Sequence, residues 1–168
     1  MGSEIKNLER GEANKKIKQI VDDTDICLFT TDLGTLPLKT RPMSRQRVDD
    51  DGTIWFFSDK NSDKNSDIAK DERVQLFYAN TKSSEYLSVY GNATIIQDAN
   101  IAKELWSAPA KIWFKDEKDP DLTIIKVEPK DGYYWDTKNG KIISLFKMAV
   151  GLVTGKELDG SVEGTIRS

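Results

Sequence analysis

The stretch Leu36–Lys64, LPLKTRPMSRQRVDDDGTIWFFSDKNSDK, decides the fold of this chain. Its two arms, Leu36–Arg47 and Thr53–Ser58, have the composition of β-strands. Between them, Asp49–Gly52 supplies the turn residues that let an antiparallel pair reverse direction. A polar loop and a short helical segment at about Ser62–Lys70 follow the second arm. The stretch therefore predicts a β-hairpin that ends beside the start of a helix.

The hairpin carries groups that suit a flat aromatic ligand with a phosphate tail. Arg41 lies on the first arm, and the aromatic run Trp55–Phe57 lies on the second. Ser62 and Lys64 stand at the helix start, where a hydroxyl, an ammonium and free backbone amides together favour an anion. Each feature also has an ordinary interpretation, since strand aromatics commonly form core and polar loop residues are commonly solvated.

Pro42 predicts that the first arm is an edge strand. Proline cannot donate to a sheet ladder and keeps the preceding residue extended, so the amides around it are free for another partner. The loop after the second arm is locally repetitive, with Ser58-Asp59-Lys60, Ser62-Asp63-Lys64 and Ser66-Asp67 recurring every four residues. The repeat leaves open which serine and which lysine would face a ligand.

The rest of the chain is predicted to add short strands and peripheral helices. Helices are expected at Leu8–Val21, Ala99–Trp106 and Ser144–Val153. Strands are expected at Asp25–Thr31, Arg73–Tyr78, Tyr86–Gln97, Leu122–Val127 and Gly132–Trp135, with the last two joined as a hairpin across Pro129–Asp131 and a turn at Lys138–Gly140. Gly91 inside its strand suggests a bulge or a close backbone approach. This order predicts a mainly β, closed or half-closed antiparallel barrel with α additions.

Length and composition limit the function classes. The 168 residues are expected to form a single domain, 1–168, with a core at about 14–153 and a loosely held polar tail at about 155–168. The net charge of −3 argues against nucleic-acid binding, and no apolar run approaches a membrane span. Cys27 is the only cysteine, which fits a reducing compartment, so a cytoplasmic protein is expected.

The sequence contains no histidine. The commonest general base and the commonest metal ligand are therefore missing, and Ser-His or Cys-His nucleophile pairs cannot be built within this chain. The acidic segments Asp49–Asp51 and Asp116–Asp121 are expected to be solvated rather than metal-binding. Any chemistry would have to come from a bound cofactor.

Several motifs together resemble the pyridoxamine-5′-phosphate-oxidase-like proteins. They begin with Arg41-Pro42-Met43, Asp51–Ser58 and Ser62-x-Lys64-x3-Ile68. The resemblance continues through Tyr86–Ala93, Glu104–Ser107, Trp113-Phe114, Asp119–Asp121 and Tyr134-Trp135. These later blocks are most similar to the branch called general stress protein 26, and the resemblance covers roughly Asn14 to Val153.

The resemblance implies an FMN-binding split β-barrel, a mainly β (α+β) fold with an antiparallel, Greek-key-like barrel and peripheral helices. It implies a homodimer with flavin sites at the subunit interface and FMN as cofactor, with FAD as the alternative. The positions it assigns to cofactor binding are Arg41, Pro42, Met43, Ser44, Trp55, Phe56, Phe57, Ser58, Ser62, Lys64, Tyr86 and Trp135.

The family pattern also implies a role for each group of residues. The strand Arg41–Ser44 would line the isoalloxazine edge, and Trp55–Ser58 would give backbone and wall contacts. Ser62 and Lys64 would hold the FMN phosphate. Tyr86 falls where the partner subunit reaches the flavin, and Trp135 falls where the family has a flavin-proximal tryptophan.

Two departures argue against true pyridoxamine-phosphate oxidase activity. The oxidase has an Arg-x-His element shortly after the tryptophan matched by Trp135, and this chain has neither residue there. The oxidase's Tyr-x3-Arg-x3-Ser set for the substrate phosphate has no counterpart between Ala99 and Trp113. The expected function is therefore a flavin-dependent oxidoreductase with an unknown small-molecule electron donor and acceptor.

Two other functions and one cluster of aromatics stay open at this point. The chain could be a flavin-binding stress or sensor module without turnover, and a barrel that binds nucleic acid through surface aromatics ranks last. Trp106, Trp113 and Phe114 are expected in the core or a dimer interface, or else over the substrate side of the flavin.

Overall fold

The computed structural model describes residues 6–7, 10–137 and 141–145. Within these residues it contains eight β-strands, three α-helices and one short 3-10 helix. In chain order they are β1 (Lys6–Asn7), α1 (Arg10–Asp23), β2 (Ile26–Thr31), β3 (Lys39–Val48), β4 (Ile54–Asp59), α2 (Asp63–Lys70), β5 (Arg73–Asn80), β6 (Glu85–Ile96), α3 (Ala99–Leu105), the 3-10 helix (Ala108–Ile112), β7 (Leu122–Asp136) and β8 (Lys141–Ser144).

The predicted hairpin is confirmed as β3 and β4. Its turn is closed by the Asp49 amide donating to the Thr53 carbonyl and by the Gly52 amide donating to the Asp49 carbonyl, both at 2.9 Å. Gly52 has φ of +85°, a conformation that favours glycine, and this explains the residue at the end of the acidic run. β3 starts later than predicted, at Lys39, because the exposed residues 36–38 belong to the preceding loop.

The prediction of two strands joined as a hairpin near the C-terminus is wrong. β7 is one continuous strand of 15 residues that passes straight through Pro129. The proline is tolerated because the register with β6 shifts there, so that Gly91 pairs with Pro129 while Tyr90 pairs with Asp131. A Cβ added to Gly91 would lie 2.4 Å from the Glu128 carbonyl oxygen, so the close approach predicted at this glycine is present.

Six strands close into the predicted barrel. The order is β7-β4-β3-β2-β5-β6, and the pairing of β6 with β7 completes the ring. All of these pairings are antiparallel. β2, β3 and β4 are consecutive neighbours while β5 returns beside β2, which is a Greek-key order. β8 pairs with β7 outside the ring and is joined by the parallel strand β1.

The barrel interior is filled by alternate side chains of every strand. Phe29 and Phe56 meet edge to face there, with ring centroids 5.2 Å apart. α1 packs onto this interior cluster with four fully buried side chains, Ala13, Ile17, Ile20 and Val21. Because neighbouring barrel strands and α1 share one core, the strand ends that carry polar residues are held in fixed positions.

A second apolar cluster covers the outer side of β4 and β7. Trp55 and Phe57 point outward from β4 into this cluster, where α3 and the 3-10 helix pack on them. Phe57 contacts the rings of Trp106 and Phe114 at 5.9 and 6.3 Å between centroids. The segment after α3 is therefore partly a 3-10 helix fixed to the barrel.

The described residues include only part of the predicted C-terminal region. Ser144, expected to begin a helix, instead ends β8. The rest of that predicted helix, the turn at Lys138–Gly140 and the polar tail lie outside the described residues. None of the helices in the described segments is long and apolar enough to cross a membrane.

Candidate functional site

The first half of β3 is an open sheet edge. Residues Lys39–Ser44 pair with β2 on one side, whereas the pairing of β3 with β4 covers only Arg45–Val48 and contains a register shift. The Arg45 amide donates toward β2, to the Asp25 carbonyl. Because backbone groups alternate along a strand, the amide and carbonyl of Ser44 and the carbonyl of Pro42 point to the open side. The edge strand predicted from Pro42 is confirmed for this half of β3.

α2 begins beside this open edge and is anchored by a buried polar network. The Ser58 hydroxyl donates to Asn65 Oδ1 at 2.7 Å, and Asn65 Nδ2 donates to Thr123 Oγ1 at 2.8 Å. Thr123 in turn donates to the Ser58 carbonyl at 2.8 Å. The network joins α2, β4 and β7, so the position of the helix N-terminus is fixed by the barrel wall.

The first turn of α2 has backbone donors that the helix does not use. Ser62 is the N-cap residue, but its side chain makes no capping bond; since the Ser58 proton is donated to Asn65, the Ser62 hydroxyl donates to Ser58 Oγ at 3.2 Å. The amides of Asp63 and Lys64 are in the first turn, where a helix supplies no partner for them. A hydroxyl and two backbone amides thus lie at the positive end of the α2 dipole.

The structure distinguishes the members of the serine and lysine repeat. Ser58 is buried in the network, Ser62 is partly buried at the helix start, and Ser66 is exposed. Lys60 forms an exposed ion pair with Asp121 at 2.9 Å. Lys64 is partly buried and, within the described residues, forms no ion pair, so it is the lysine of the repeat that remains free for an anion.

Arg41 points inward from β3 toward the same end of the barrel. Its Nη1 donates to Thr31 Oγ1 at 2.8 Å and to the Phe29 carbonyl at 3.3 Å. Burial lowers the pKa of Arg41, and the charges of Asp67 and Asp63 act against that shift. The guanidinium is therefore a partly desolvated cation, and Asp67, 3.9 Å from its Nη2, only partly offsets its charge.

Arg41 and Lys64 are close enough to affect each other's charge. Burial lowers the pKa of the Lys64 ammonium, the positive charge of Arg41 lowers it further, and Asp59 opposes the shift. Two cations held together at a helix N-terminus are unfavourable unless an anion joins them. The electrostatics of this corner therefore fit a dianionic group such as a phosphate monoester.

Asp67 lies behind these two cations and was not predicted as part of the site. Its carboxylate is almost fully buried and accepts hydrogen bonds from Thr31 Oγ1 at 2.8 Å and Lys39 Nζ at 3.0 Å. Burial alone would raise the pKa of Asp67, but the bonds from Lys39 and Thr31 hold it below its ordinary value, so the carboxylate is ionised. Arg41 Nη2 lies 3.9 Å from it.

The hairpin aromatics lie in apolar clusters rather than on an open surface. Phe56 is fully buried inside the barrel, and Trp55 and Phe57 are covered by the α3 cluster. Their side chains cannot line a pocket at the open edge, so a ligand there would meet the β4 backbone. The interpretation of these aromatics as core is confirmed by their burial.

The aromatics of the α3 segment differ among themselves. Phe114 is buried and Trp106 is partly buried against the second apolar cluster, whereas Trp113 is 79% exposed and Ile112 is 76% exposed. The Ser107 hydroxyl donates to Gln46 Oε1 at 3.0 Å, which fixes the start of the 3-10 helix beside the bulged part of β3. Phe114 is therefore core, while Trp113 is available for contacts outside this chain.

Tyr86 and Trp135 form a separate group. They are direct partners across β6 and β7, and the Trp135 ring contacts Tyr133 at 4.8 Å between centroids. Arg41 is paired with Phe29 and shares its inner face, whereas Tyr86 and Trp135 share the outer face with Ser88 and Tyr133. Within a single chain these two aromatics therefore do not face the guanidinium of Arg41.

The outer face of the sheet extends from the open edge of β3 to Tyr86 and Trp135. Pro42, Leu28 and Phe77 are paired across β3, β2 and β5, and the same row continues through Ser88 to Tyr133. Directly paired residues share a face, so this row and the neighbouring Tyr86–Trp135 pair lie on one surface. Leu28 is 50% exposed and Phe77 is 39% exposed. An apolar outer face thus runs from the open edge of β3 to Trp135.

Sequence reasoning missed four polar residues that build the site: Thr31, Asn65, Asp67 and Thr123. A signal existed for two of them, because Asn65 and Asp67 lie within the serine repeat and close to Ile68, the apolar residue expected to point inward. Thr31 and Thr123 lie on apolar strands, and nothing in the sequence indicated their partners. Within the described residues no group of three or more acidic or cysteine side chains could hold a metal ion.

Comparison with known proteins agrees with this architecture. The family described as "Pyridoxamine 5'-phosphate oxidase like" matches residues 12–159, so the chain belongs to that family. The chain is 29% identical over 98 residues to general stress protein 26 of Bacillus subtilis, covering 55% of this chain and 70% of the relative. It is 25% identical over 139 residues to protein bli-3 of Neurospora crassa, covering 77% of this chain and 66% of bli-3.

Solved structures share the fold. The general stress protein 26 from Bacillus anthracis superposes with a TM-score of 0.64 at 22% identity, covering 78% of this chain and 97% of that one. The general stress FMN/FAD binding protein from Xanthomonas citri superposes with a TM-score of 0.62 at 21% identity, covering 73% and 87%. The split-barrel fold expected from the motifs is confirmed by these likenesses.

Proposed function

We propose that this protein binds FMN and works as a homodimeric flavin-dependent oxidoreductase of the general stress protein 26 type. The observation that carries the proposal is the pair of partly buried cations, Arg41 and Lys64, at the free N-terminus of α2. Their charges, the Ser62 hydroxyl and the first helical amides match the acceptors of a phosphate monoester.

The residues present fit the phosphate of FMN. Lys64 would pair with the phosphate, Ser62 and the first amides of α2 would donate to it, and Arg41 would supply a second positive charge. FAD is the alternative, and the description of the Xanthomonas citri protein as FMN/FAD binding keeps both cofactors in view. A terminal phosphate concentrates its two charges on one group, which favours FMN at a site with two converging cations.

The ring of the flavin would lie along the open edge of β3. The backbone of Pro42–Ser44 offers acceptors and donors there, and the buried β4 aromatics keep the edge rigid from behind. Tyr86 and Trp135 would reach the ring from a second copy, because within one chain they lie on the opposite face of the sheet from Arg41. The apolar outer face containing Leu28 and Phe77 would be the surface on which the two copies meet.

When bound, the flavin would carry hydride or electrons between a small-molecule donor and an acceptor. The chain's own residues would bind and orient it, and the charge of Arg41 would favour its reduced, anionic form. We do not assign pyridoxamine-phosphate oxidation, because the substrate-binding residues of that reaction have no counterparts here. A cytoplasmic location is proposed together with this activity.

A non-catalytic flavin-binding stress or sensor module is the second candidate. It is favoured by the complete absence of histidine, which removes the side chain most suited to proton transfer near neutral pH. Under this alternative the same residues would hold the flavin, but no electron donor would reduce it.

An absorbance scan of the pure protein, with and without added FMN and after dialysis, tests flavin binding. Retained bands near ~375 and ~450 nm are expected, as for a protein-bound flavin. Loss of all flavin at micromolar protein concentration would contradict the proposal. Bleaching of the bound flavin by NADH or NADPH would support the oxidoreductase, whereas an inert flavin would support the module.

A further inference from the structure

Asp67 has a geometry that neither core packing nor a simple ion pair requires. It lies on α2 three residues after Lys64, so both side chains lie on the same side of the helix. Yet its carboxylate contacts Thr31, Lys39 and Arg41 instead of Lys64. The residue joins α2 to the two strands that carry these partners.

The hydroxyl of Thr31 links Asp67 to Arg41. This hydroxyl has a single proton, and it donates that proton to Asp67 Oδ2 at 2.8 Å. Its lone pairs are then directed to accept from Arg41 Nη1, also at 2.8 Å. Asp67 therefore sets the orientation of a hydroxyl that in turn fixes one side of the guanidinium.

Lys39 reduces the electrostatic penalty of having a carboxylate near an anion site. Its ammonium contacts both Asp67, at 3.0 Å, and Asp32, at 3.2 Å, so its single charge is shared between the two carboxylates. At 3.9 Å, Asp67 also offsets part of the charge of Arg41. Lys64 keeps its positive charge for a ligand, and Arg41 keeps part of its own.

We propose that Asp67 is a positioning residue, which acts through the Thr31 hydroxyl to hold the guanidinium of Arg41 for recognition of the flavin phosphate beside Lys64. The inference rests on the proposed function, because it names a further residue of the same site. The positioning role and simple electrostatics predict opposite effects of removing the Asp67 charge on anion affinity. Removing a negative charge next to an anion site should strengthen anion binding, whereas loss of a positioning residue should weaken it.

The first test is the affinity of Asp67→Asn for FMN and for riboflavin, which lacks the phosphate. We expect FMN to bind about tenfold more weakly and oxidised riboflavin to bind as in the wild type, because the oxidised ring is uncharged and the phosphate carries the charge that Arg41 would recognise. Asp71→Asn is the matched control. It removes the same charge just after α2 from a carboxylate that pairs with Arg73 at 2.7 Å and does not contact Arg41.

The second test is a double-mutant cycle between Asp67→Asn and Arg41→Ala, read as FMN affinity. If Asp67 acts through Arg41, the double variant should bind FMN no more weakly than Arg41→Ala alone. Thr31→Val removes the hydroxyl without changing charge and should reproduce the effect of Asp67→Asn. Urea unfolding of each variant identifies any that lose FMN only because they lose their fold.

The outcomes separate the two claims. If wild-type protein binds FMN no better than riboflavin, the phosphate site fails, and this inference fails with it. If wild-type protein prefers FMN but Asp67→Asn binds it equally or more tightly, the site stands and the positioning role is overturned. Additive losses in the cycle would likewise overturn it, because they would show Asp67 acting independently of Arg41.

Discussion

At one end of the barrel, Arg41, Lys64 and the start of α2 lie together within a single chain, and hydrogen bonds hold Arg41 and the start of α2 in place. On the outer face, Tyr86 and Trp135 lie on the same surface as the exposed apolar residues Leu28 and Phe77. The first region is a candidate anion site built from one chain. The second resembles one side of a protein–protein interface, because exposed apolar rows on a rigid sheet are typical of surfaces that bind another protein.

The difference indicates how the proposed flavin would be shared. Under the proposed function, one chain would hold the phosphate, but it would offer the ring only the backbone edge of β3 and no exposed aromatic side chain from the hairpin. The ring-binding half would then come from the outer face of a second copy. The predictions below separate the two regions by perturbing one at a time.

The largest effect is expected from a charge on the outer face. Phe77→Lys would place an ammonium among apolar residues, and we expect it to weaken self-association about 1000-fold because the charge would have to be desolvated. Sedimentation velocity should show monomers, and FMN affinity should fall with dimer loss. Thr94→Lys adds the same charge at an exposed position of the neighbouring strand β6 and should leave self-association and FMN affinity unchanged. A dimeric Phe77→Lys protein would contradict the assignment of this face.

The next effect concerns the phosphate. Lys64→Ala should weaken FMN binding about 100-fold, the value of a charge-assisted contact in a partly desolvated site, while riboflavin affinity stays the same. Lys60→Ala is the matched control from the same repeat, because Lys60 is exposed and already paired with Asp121. Fluorescence titration of both flavins checks the prediction. Equal losses for the two lysine variants would show that the site is misplaced.

The pH dependence of FMN affinity follows from the pKa of Lys64. Burial first, and then the charge of Arg41, lower that pKa in the free protein, whereas a bound phosphate would favour the charged ammonium. Affinity should therefore be full at pH below the lowered pKa and should fall about tenfold as pH rises through it, before the ordinary lysine value of ~10.4. Below pH ~6 affinity should fall again as the phosphate takes up a proton.

The control for this profile is the Lys64→Ala protein. It should lose the alkaline decrease and keep the acid one, since the acid limb belongs to the ligand. Riboflavin titrated over the same range reports any ionisation of the ring itself. An alkaline decrease of the same size in the variant would contradict the role of Lys64.

The smallest effect is expected from the support of α2. Asn65→Ala would leave Ser58 and Thr123 without their buried partner, at a cost of about 1–3 kcal/mol in the free energy of unfolding. FMN affinity should fall only about threefold, because the helix keeps its other contacts. Urea unfolding and FMN titration measure the two quantities. Asn61→Ala, at an exposed position just before α2, should change neither quantity.

The barrel could be predicted from sequence because its signals are local. The turn at Asp49–Gly52 and the strand patterns around it each specify an element within a few residues. The continuity of β7 could not be predicted, because Pro129 is tolerated only where Gly91 of another strand allows a bulge. A single segment carries no information about that distant partner.

The candidate site likewise contains some residues that local patterns indicate and others whose role depends on distant contacts. Ser62 and Lys64 were predicted from the helix start, but the repeat left their register open until Asn65 fixed which face meets the barrel. Asp67 and Thr31 were missed because their importance lies in contacts between residues 36 positions apart. Whether Tyr86 and Trp135 reach a flavin depends on a second chain, which no pattern in one sequence describes.

Subunit complementation tests the central claim most directly. Lys64→Ala damages the phosphate half of the site, and Trp135→Leu damages the half proposed to come from the partner while keeping an apolar side chain. When the two proteins are mixed, unfolded and refolded together, each hybrid dimer should contain one site with both halves intact. FMN titration should then recover about one quarter of the wild-type sites at wild-type affinity, since random pairing gives half hybrids with one good site of two. No recovery in a mixture shown to contain hybrids would mean that the site is not shared between chains, and the account would be wrong.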